Sequence, residues 1–381
     1  MILRDYWKHK IAEAWIARSI VWLSGVRRAG KTCLCKQLEQ VTYLNCDLPS
    51  VRRQMDDPEF FLAQHATAGK TIVLDEVHKV NDPSLVLKIA ADEFPDIKLL
   101  ATGSSTLQAT RKFRDTLTDR KRSVHLVPVL WRECLGAFKL PDLDRRLLHG
   151  GLPAQLLNTE PDPAFFEEWI DSFYARDIEE LFGVRNRTGF LTLLGLVCRR
   201  SGGQLDISDL ANQANVSRPT VMSHLDALEI SHAVRRLPPY HGGDHREIVK
   251  QPRIYAYDTG LVAHIRGWER IREEDRGYLW EHLVLDELQT MFSSRLLHYW
   301  RDKSQHEIDF VVEHSQGRVD AVEAKINPDA FDAKSLRQFR ELHPNGNNYV
   351  VCPFVDNLYA IRRNGLTVYV CRPDQIEAKR N

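Results

Sequence analysis

The residues from Gly25 to Thr32 have the order G-x-x-x-x-G-K-T, which suits one kind of chemistry, the binding of a phosphate chain. The two glycines allow the backbone to close tightly, and N–H groups at the start of a following helix point at the phosphate. Lys31 can reach the terminal phosphates, and the Thr32 hydroxyl can bind Mg²⁺. The sequence therefore predicts a nucleotide site with Mg²⁺, whose contact residues are Gly25, Val26, Arg27, Arg28, Ala29, Gly30, Lys31, Thr32 and Cys33.

Two carboxylates, Asp75 and Glu76, follow the apolar stretch from Thr71 to Leu74, which is typical of a buried strand. At the carboxyl end of such a strand Asp75 can hold Mg²⁺, and Glu76 can polarise an attacking water. The alternative is a strand followed by a solvated acidic turn. Because a phosphate-binding loop precedes these acids in the chain, we favour hydrolysis of the nucleotide, with Lys31, Asp75 and Glu76 as catalytic residues.

A third apolar stretch, from Ile97 to Ala101, ends in the small hydroxyl residues Thr102, Ser104 and Ser105. A parallel sheet would present these hydroxyls to the terminal phosphate. Ser104 is the preferred candidate for a catalytic residue that senses this phosphate. Thr102 and Ser105 compete with it, and an ordinary polar turn is the alternative.

A cationic stretch follows between residues 111 and 122. In ring-shaped or dimeric ATPases an arginine in this place reaches the nucleotide of the neighbouring subunit and offsets charge in the transition state. A solvated basic loop is the alternative interpretation.

A second group of chemically competent residues lies near the carboxyl terminus. The pattern on either side of Gln316 predicts a hairpin, and Asp309 and Glu323 both stand seven positions from that residue. In a symmetric hairpin these carboxylates would face each other, with Lys325 on the same side as Glu323. Such a group can bind Mg²⁺ and activate water for phosphodiester cleavage, and Glu281 on the preceding helix could add a ligand. The alternative is a half-exposed hairpin with ordinary surface charges.

The capping and turn residues in the range 205–230 predict two helices joined by a tight turn, which is typical of a helix-turn-helix. Ser217 suits the N-cap of the second helix. We expect DNA contacts from the exposed face of that helix, at Arg218, Thr220, Ser223 and His224. Two strands after it would form a wing with further phosphate contacts, at Arg235, Arg236, His245 and Arg246. A protein-docking or purely structural module is the alternative.

The elements that must position these residues change in character along the 381-residue chain. Up to residue 130, strands alternate with helices, as in a parallel sheet covered on both faces. We therefore expect an α/β protein with four parts, which are a P-loop ATPase core (1–130), a helical lid (131–190), a winged helix-turn-helix (191–262) and a further α/β domain (263–381). Such a lid can close over a nucleotide.

Composition favours a globular protein without extended disorder, since 43% of the residues are hydrophobic and 27% are charged. The 52 Lys and Arg residues balance 52 Asp and Glu residues, so a nucleic-acid surface would have to be a local patch. Seven cysteines without C-x-x-C spacing favour reduced thiols over disulfides or a zinc site. Because the sequence has neither a membrane-span pattern nor a signal-peptide core, we expect a cytoplasmic protein without a membrane partner.

In these residues the chain resembles the prokaryotic AAA-type P-loop ATPases of archaea and bacteria that carry a C-terminal domain with a PD-(D/E)xK nuclease-like core. The resemblance covers nearly the whole chain. It rests on an ordered series of motifs, which are Gly25–Thr32, Asp75–Glu76, Thr102–Ser105, Gly150–Pro153, Ala175–Ile178, Asp258–Leu261, Trp280–Glu281, Trp300–Arg301, Glu307–Phe310 and Glu323–Lys325.

The resemblance implies ATP as the nucleotide and an AAA+ fold for the ATPase core. It aligns Arg120 with a family arginine that stands eight residues before a proline, here Pro128. Family members commonly have glycine just before that arginine, where this chain has Asp119. The resemblance also assigns the metal-binding and water-activating positions of the nuclease core to Glu281, Asp309, Glu323 and Lys325.

Together these features favour an ATP-driven motor that binds and remodels or unwinds duplex or branched DNA. We expect it to form a homo-oligomer such as a hexameric ring, with a terminal domain that recognises or cleaves the DNA. Two alternatives stay open. One is a nucleotide-switched DNA-binding regulator, and the other is a signalling ATPase with a protein partner and a degenerate terminal domain.

Overall fold

A computed structural model of the chain describes residues 2–65, 71–103, 111–242 and 251–376. The chain forms two compact units. The first comprises residues 1–127, 169–185 and 230–233, and the second comprises residues 128–168, 186–229 and 234–381. The predicted lid at 131–190 is therefore not one body, because its residues 169–185 belong to the unit that carries the phosphate-binding loop.

The first unit is built on a parallel sheet whose strands are β1 (Ile20–Ser24), β2 (Val41–Asn45), β3 (Thr71–Asp75), β4 (Lys98–Thr102) and β5 (Lys121–His125). Their order across the sheet is β2-β3-β4-β1-β5. Every residue of β1 is buried, which explains its continuous apolar sequence. Since the carboxyl ends of parallel strands meet at one edge, the segments after β1, β3 and β4 come together there.

Helices fill the connections of this sheet, and they are α1 (Asp5–Ala17), α2 (Lys31–Cys35), α3 (Pro49–Gln54), α4 (Pro58–His65), α5 (Pro83–Glu93) and α6 (Arg111–Leu117). The start of α5 shows why a helix begins where it does. Asp82 accepts a hydrogen bond from the amide of Leu85 (3.1 Å), and Pro83 occupies the first turn, where it costs no hydrogen bond. A short 3₁₀ turn, Val77–Lys79, follows β3.

The chain is helical between residues 131 and 182, in the elements α7 (Trp131–Leu135), α8 (Leu143–His149), α9 (Pro153–Leu157), α10 (Pro163–Phe173) and α11 (Glu180–Phe182). A π-helical turn, Tyr174–Glu179, joins α10 to α11. Such turns are rare and are frequent at functional sites. The part from Trp169 onward belongs to the first unit.

The second unit contains the predicted helix-turn-helix elements, which are α12 (Arg187–Arg199), α13 (Ile207–Ala214), α14 (Arg218–Ile230), β6 (Val234–Leu237) and β7 (Arg253–Ala256). The helix α13 ends at Asn215 in the left-handed conformation, and Ser217 Oγ accepts from the Thr220 amide (3.2 Å) at the start of α14. Strands β6 and β7 pair in antiparallel fashion, as expected for a wing.

The rest of the second unit contains two helices, α15 (Thr259–Arg266) and α16 (Glu273–Met291), followed by a mixed sheet and one further helix in the described residues. The sheet strands are β8 (Leu297–Arg301), β9 (Glu307–Glu313), β10 (Val319–Ala324), β11 (Asn348–Val351), β12 (Tyr359–Arg363) and β13 (Leu366–Cys371), and α17 (Lys334–Leu342) lies between β10 and β11 in the chain. The strand order is β12-β13-β11-β10-β9-β8, with β10 parallel to β11 and antiparallel to β9.

The hairpin of β9 and β10 has the predicted register. Val322 pairs with Phe310, so the next step along the two strands sets Glu323 opposite Asp309. Gln316, at φ 61°, lies in the turn between the strands. The symmetry inferred from the sequence is therefore confirmed.

The seven cysteines all lie in described residues and form no disulfide among themselves, and six of them are buried. In the described part of the chain, no helix combines the length and the apolar character needed to cross a bilayer.

Candidate functional site

The phosphate-binding loop takes a conformation that requires glycine at two points. Gly25 has φ 148°, and a Cβ atom there would lie 2.4 Å from the carbonyl oxygen of Leu126. Gly30 has φ 99° and directly precedes α2. Both glycines of the motif are thus fixed by geometry. The loop leads from β1 into the first turn of α2, where backbone N–H groups have no partner within a helix.

The ammonium group of Lys31 folds back onto this loop. Its Nζ atom donates to the carbonyl oxygens of Gly25 (2.8 Å) and Val26 (3.2 Å). Burial lowers the pKa of Lys31, and the carboxylates of Glu76 and Asp177 oppose that effect. Because charged acceptors bind an ammonium more strongly than carbonyl oxygens do, an entering phosphate can take over these donors.

Asp75 accepts hydrogen bonds from side chains of the two strands β2 and β4. Thr102 Oγ1 donates to Asp75 Oδ1 (2.5 Å) and accepts from the N–H of Glu76 (2.9 Å). Tyr43 in β2 donates its hydroxyl to Asp75 Oδ2 (2.7 Å). Burial and the neighbouring carboxylate of Asp75 raise the pKa of Tyr43, so this hydroxyl stays a donor. Donors on both oxygens therefore fix the direction of the buried Asp75 carboxylate.

Glu76 follows β3 with a left-handed backbone, at φ 59°. Its Oε2 atom lies 3.2 Å from Nδ1 of His78, and this hydrogen bond lowers the pKa of Glu76 despite burial. An ionised carboxylate in this place can accept a hydrogen bond from water and orient it. Glu76 and Lys31 line the same cavity, as the sequence predicted for a hydrolytic pair.

The cavity has a volume of about 620 Å³. That is within the range of roughly 300–1,000 Å³ that is usual for ligand pockets. It lies within the first unit, and its lining includes Arg27, Lys31, Thr32, Glu76, Arg176 and Asp177. Acidic and basic side chains thus face one space that is large enough for a nucleotide.

Thr32 and Asp75 are the residues that could hold Mg²⁺ here. Both offer oxygen, the donor atom that Mg²⁺ prefers, and Thr32 lines the cavity while Asp75 ends β3. Among the described residues, no group of three or more His, Cys, Asp or Glu side chains could hold a metal ion. In nucleotide sites Mg²⁺ usually takes only one or two protein oxygens together with phosphate and water oxygens, which is the number that Thr32 and Asp75 offer.

One wall of the cavity is formed by the segment from Trp169 to Arg185, which lies inside the predicted lid, although the prediction named no site residue in it. Trp169 Nε1 donates to the carbonyl oxygen of Arg27 (3.2 Å). Asp177 Oδ2 lies 3.5 Å from Nη1 of the same arginine. The available signal was the motif Ala175–Ile178, to which the sequence interpretation assigned no role.

The candidates for a phosphate-sensing hydroxyl are only partly covered, because Ser104 and Ser105 lie outside the described residues. Thr102 is described, and its hydroxyl contacts both Asp75 and the backbone of Glu76. The structure therefore gives Thr102, the competitor in the sequence interpretation, a defined position beside the two acids.

Arg120 is paired within its own chain. Its Nε and Nη2 atoms lie 2.6 Å and 3.1 Å from the two carboxylate oxygens of Asp92. It precedes β5, at the edge of the sheet opposite the phosphate-binding loop. Asp119 has φ 62°, so this chain keeps a glycine-like backbone where family members commonly have glycine.

In the second unit, Asp309, Glu323 and Lys325 come together as predicted. Lys325 Nζ lies 2.7 Å from Glu323 Oε2 and 3.1 Å from Asp309 Oδ2. The amide of Ala324 also donates to Asp309 Oδ2 (2.9 Å). Burial raises the pKa of Glu323, whereas Lys325 and Arg253 outweigh burial and lower the pKa of Asp309. We call these three side chains, together with Glu281, the carboxylate cluster.

Glu281 belongs to this cluster through the wing strand β7. Tyr255 donates its hydroxyl to Glu281 Oε2 (3.3 Å), and Arg253 Nη1 lies 3.5 Å from the same oxygen. Arg253 also forms an ion pair with Glu307. Burial raises the pKa of Glu281, and the charge of Asp309 adds to this effect. Glu281 is thus held by Tyr255 and Arg253, while Lys325 bridges Asp309 and Glu323, and the metal role of these acids stays a prediction.

The predicted DNA-binding face needs correction at His224. Arg218 and Ser223 are exposed and Thr220 is half-buried, as required. His224 is 5% exposed, and its ring lies 5.4 Å from the ring of Phe190. The reason is helical spacing, because position 224 is three residues after the buried Val221 and therefore shares its face.

The two wing arginines also differ from the prediction of free phosphate contacts. Arg235 forms an ion pair with the buried carboxylate of Asp286. Arg236 contacts Glu229 and Asp226, with Nε 2.7 Å from Glu229 Oε2. Both guanidinium groups are therefore neutralised locally. His245 and Arg246 lie outside the described residues.

Three family models match successive parts of the chain. Residues 17–135 match an AAA domain, residues 140–272 match a domain of unknown function (DUF8612), and residues 276–369 match a second one (DUF4143). With the parallel sheet order and the glycine loop, the first match identifies the first unit as a P-loop ATPase fold of the AAA type.

Two uncharacterized mycobacterial proteins are similar to most of the chain. Rv2008c of Mycobacterium tuberculosis and Mb2031c of Mycobacterium bovis are each 29% identical over 330 residues, which is 84% of this chain and 73% of theirs. A solved structure of the Aeropyrum pernix Orc1 protein in complex with DNA is 12% identical and covers 70% of this chain and 93% of its own, with a TM-score of 0.30. A likeness this weak carries no argument about function.

Proposed function

We propose that this protein hydrolyses ATP at the phosphate-binding loop and uses the energy to bind and remodel DNA. The observation that carries the proposal is that Lys31 and Glu76 line one cavity of about 620 Å³ at one edge of the parallel sheet, with Thr102 hydrogen-bonded to both Asp75 and the Glu76 amide.

The residues divide the reaction between them. Lys31 would leave the carbonyl oxygens of its loop and bind the terminal phosphates, while the loop amides hold the rest of the chain. Glu76 would orient a water for in-line attack on the γ-phosphate. Thr32 and Asp75 would hold Mg²⁺, whose positive charge offsets the charge of the phosphates. Thr102 would hold the carboxylate of Asp75 and the backbone of Glu76 in position.

DNA binding is supported by the elements after residue 186. The helix α14 leaves Arg218 and Ser223 exposed and begins with a capped turn, and an antiparallel pair follows it. Such a helix can enter the major groove and contact phosphates and base edges. Since the wing arginines are internally paired, we assign the main contacts to α14.

For the C-terminal sheet we propose recognition of DNA rather than cleavage. In the described arrangement Lys325 bridges Asp309 and Glu323, and Arg253 contacts Glu281, so a metal ion would have to displace both cations before it could support cleavage. Plasmid nicking in Mg²⁺ or Mn²⁺ tests this assignment. We expect none, and nicking that Asp309→Ala abolishes would contradict it.

A ring or other homo-oligomer is part of the proposal because Arg120 lies at the sheet edge opposite its own loop. It could therefore act only on the nucleotide of a neighbouring subunit, and only after leaving Asp92. Arg120→Ala should lower turnover without weakening nucleotide binding, and turnover that does not depend on protein concentration would contradict action between subunits.

The experiment that tests the function is ATP turnover with single-stranded, duplex and four-way-junction DNA at low salt, where phosphate contacts are strongest. We expect at least one DNA to accelerate hydrolysis, and Lys31→Ala to abolish it. Binding of DNA without acceleration would support a nucleotide-switched regulator instead. If no DNA binds, a signalling ATPase becomes the better assignment.

A further inference from the structure

The segment from Trp169 to Arg185 forms part of the lining of the nucleotide site. It lies in the region that matches a domain of unknown function, outside the match to the AAA domain. It nevertheless belongs to the first unit, while the residues on both sides of it in the chain belong to the second. The chain therefore passes from the second unit into the first before Trp169 and back into the second after Arg185.

Two contacts tie the segment to the phosphate-binding loop through one residue. Trp169 Nε1 donates to the Arg27 carbonyl oxygen at 3.2 Å, and Asp177 lies 3.5 Å from the Arg27 guanidinium. The Trp169 ring also stacks on Phe173, with centroids 4.7 Å apart and ring planes 14° apart. The backbone contact does not depend on charge, whereas the contact of Asp177 does.

Asp177 faces the end of the site where the terminal phosphates would bind. The groups that interact with its charge include Arg27, Lys31 and Glu76, and the last two are the residues assigned to the terminal phosphate and the water. Its carboxylate is 20% exposed, and burial raises its pKa. A phosphate chain entering the loop brings negative charge to the same cations that now attract Asp177.

We propose that Asp177 discriminates between nucleoside triphosphate and diphosphate by competing with the terminal phosphate for Arg27 and Lys31. The inference rests on the proposed nucleotide site and adds a role for the segment Trp169–Arg185. In the empty site, Asp177 holds the segment against the loop. A triphosphate takes over the cations and repels the carboxylate, so the π-helical turn Tyr174–Glu179 loses that contact. A diphosphate, which lacks the terminal group, leaves the contact in place.

Isothermal titration calorimetry with Mg²⁺ tests the competition, using adenylyl imidodiphosphate as a triphosphate that is not hydrolysed, and ADP. Asp177→Asn keeps the size of the side chain and removes its charge. We expect it to bind the triphosphate about two- to fivefold more tightly, the effect of losing one partly exposed charge pair. ADP binding should change less than twofold. The matched control is Glu179→Gln, which removes the same charge from an exposed position on the same turn and should change neither affinity.

Hydrogen exchange of residues 169–185 supplies a second readout. In the natural protein the triphosphate analogue should increase exchange in this segment and ADP should not. In Asp177→Asn, exchange should already be high without nucleotide. The inference is overturned if Asp177→Asn binds the analogue no more tightly, or if Glu179→Gln has the same effect. If the role of Asp177 is overturned in this way, while the natural protein binds the analogue and Lys31→Ala does not, the proposed nucleotide site still stands. If the natural protein binds no nucleotide, both proposals fall.

Discussion

Thr102 and Asp75, at the ends of adjacent strands, are joined by a hydrogen bond of 2.5 Å from Oγ1 to Oδ1. The same hydroxyl accepts the N–H of Glu76, so one side chain sets the position of both acids that follow β3. The carboxylate for the metal and the carboxylate for the water are thus held by one group at the end of β4.

Replacing Thr102 with valine keeps its shape and removes both hydrogen bonds. We expect kcat for ATP hydrolysis to fall by about ten- to hundredfold, since a hydrogen bond to a charged group contributes roughly 1.5–3 kcal/mol. Nucleotide affinity should change little, because the loop supplies most of the phosphate contacts. Steady-state kinetics and calorimetry separate the two quantities, with Thr71→Val at the other end of β3 as the control. A lower affinity with unchanged kcat would contradict this role.

Tyr43 holds the other oxygen of Asp75 at 2.7 Å. In Tyr43→Phe the carboxylate loses one of its two orienting donors, so the Mg²⁺ concentration for half-maximal turnover should rise about three- to tenfold. Nucleotide binding without Mg²⁺ should not change. A magnesium titration of ATPase activity measures the shift, and Tyr359→Phe, at an exposed position in β12, serves as the reference. An unaltered magnesium requirement would mean that the Tyr43 hydroxyl does not orient Asp75 for the metal.

The exposed and the paired arginines of the helix-turn-helix should behave differently. Arg218→Ala should weaken DNA binding and reduce the slope of log K against log salt by about one, as for the loss of one phosphate contact. Arg236→Ala should leave that slope unchanged, because Glu229 and Asp226 already neutralise its guanidinium. Binding titrations at several salt concentrations measure both slopes. Equal losses for the two variants would show that Arg236 leaves its partners to contact DNA.

The carboxylate cluster predicts how the stability of the second unit depends on pH. Burial raises the pKa of Glu281 and Glu323 in the folded state, so the folded form retains protons that the unfolded chain has released. Stability must therefore fall as pH rises through the interval between the unfolded and the folded pKa values. Glu323→Gln should flatten this decline and raise the melting temperature at alkaline pH. Thermal scans across pH follow the transition, and a decline as steep as in the natural protein would contradict the assignment.

The sequence predicted those parts of the fold that local pattern decides. The glycine loop, the acids after β3, the turn at Ser217 and the symmetry of the hairpin about Gln316 all follow from spacing within one or two elements. One prediction made from the helix-turn-helix pattern was wrong. His224 lies three residues after the buried Val221, so helical spacing places it on the buried face of the helix and not on the predicted exposed face.

The remaining differences concern partners that are distant in sequence. Ion pairs join Arg120 to Asp92 and Arg235 to Asp286. A third joins Arg27 to Asp177, which is 150 positions away in the chain. A charged residue in a sequence shows only that it needs water or a partner, and the fold decides which it obtains. For this reason the sequence identified the cations near each site and could not tell which were already neutralised.

The central claim, hydrolysis of ATP by Glu76 at the Lys31 loop, is tested most directly by single-turnover hydrolysis in Glu76→Gln, with ATP binding measured on the same preparation. We expect binding close to that of the natural protein and a hydrolysis rate lower by about a hundredfold or more, as for loss of a general base. Hydrolysis at the natural rate in this variant would contradict the account.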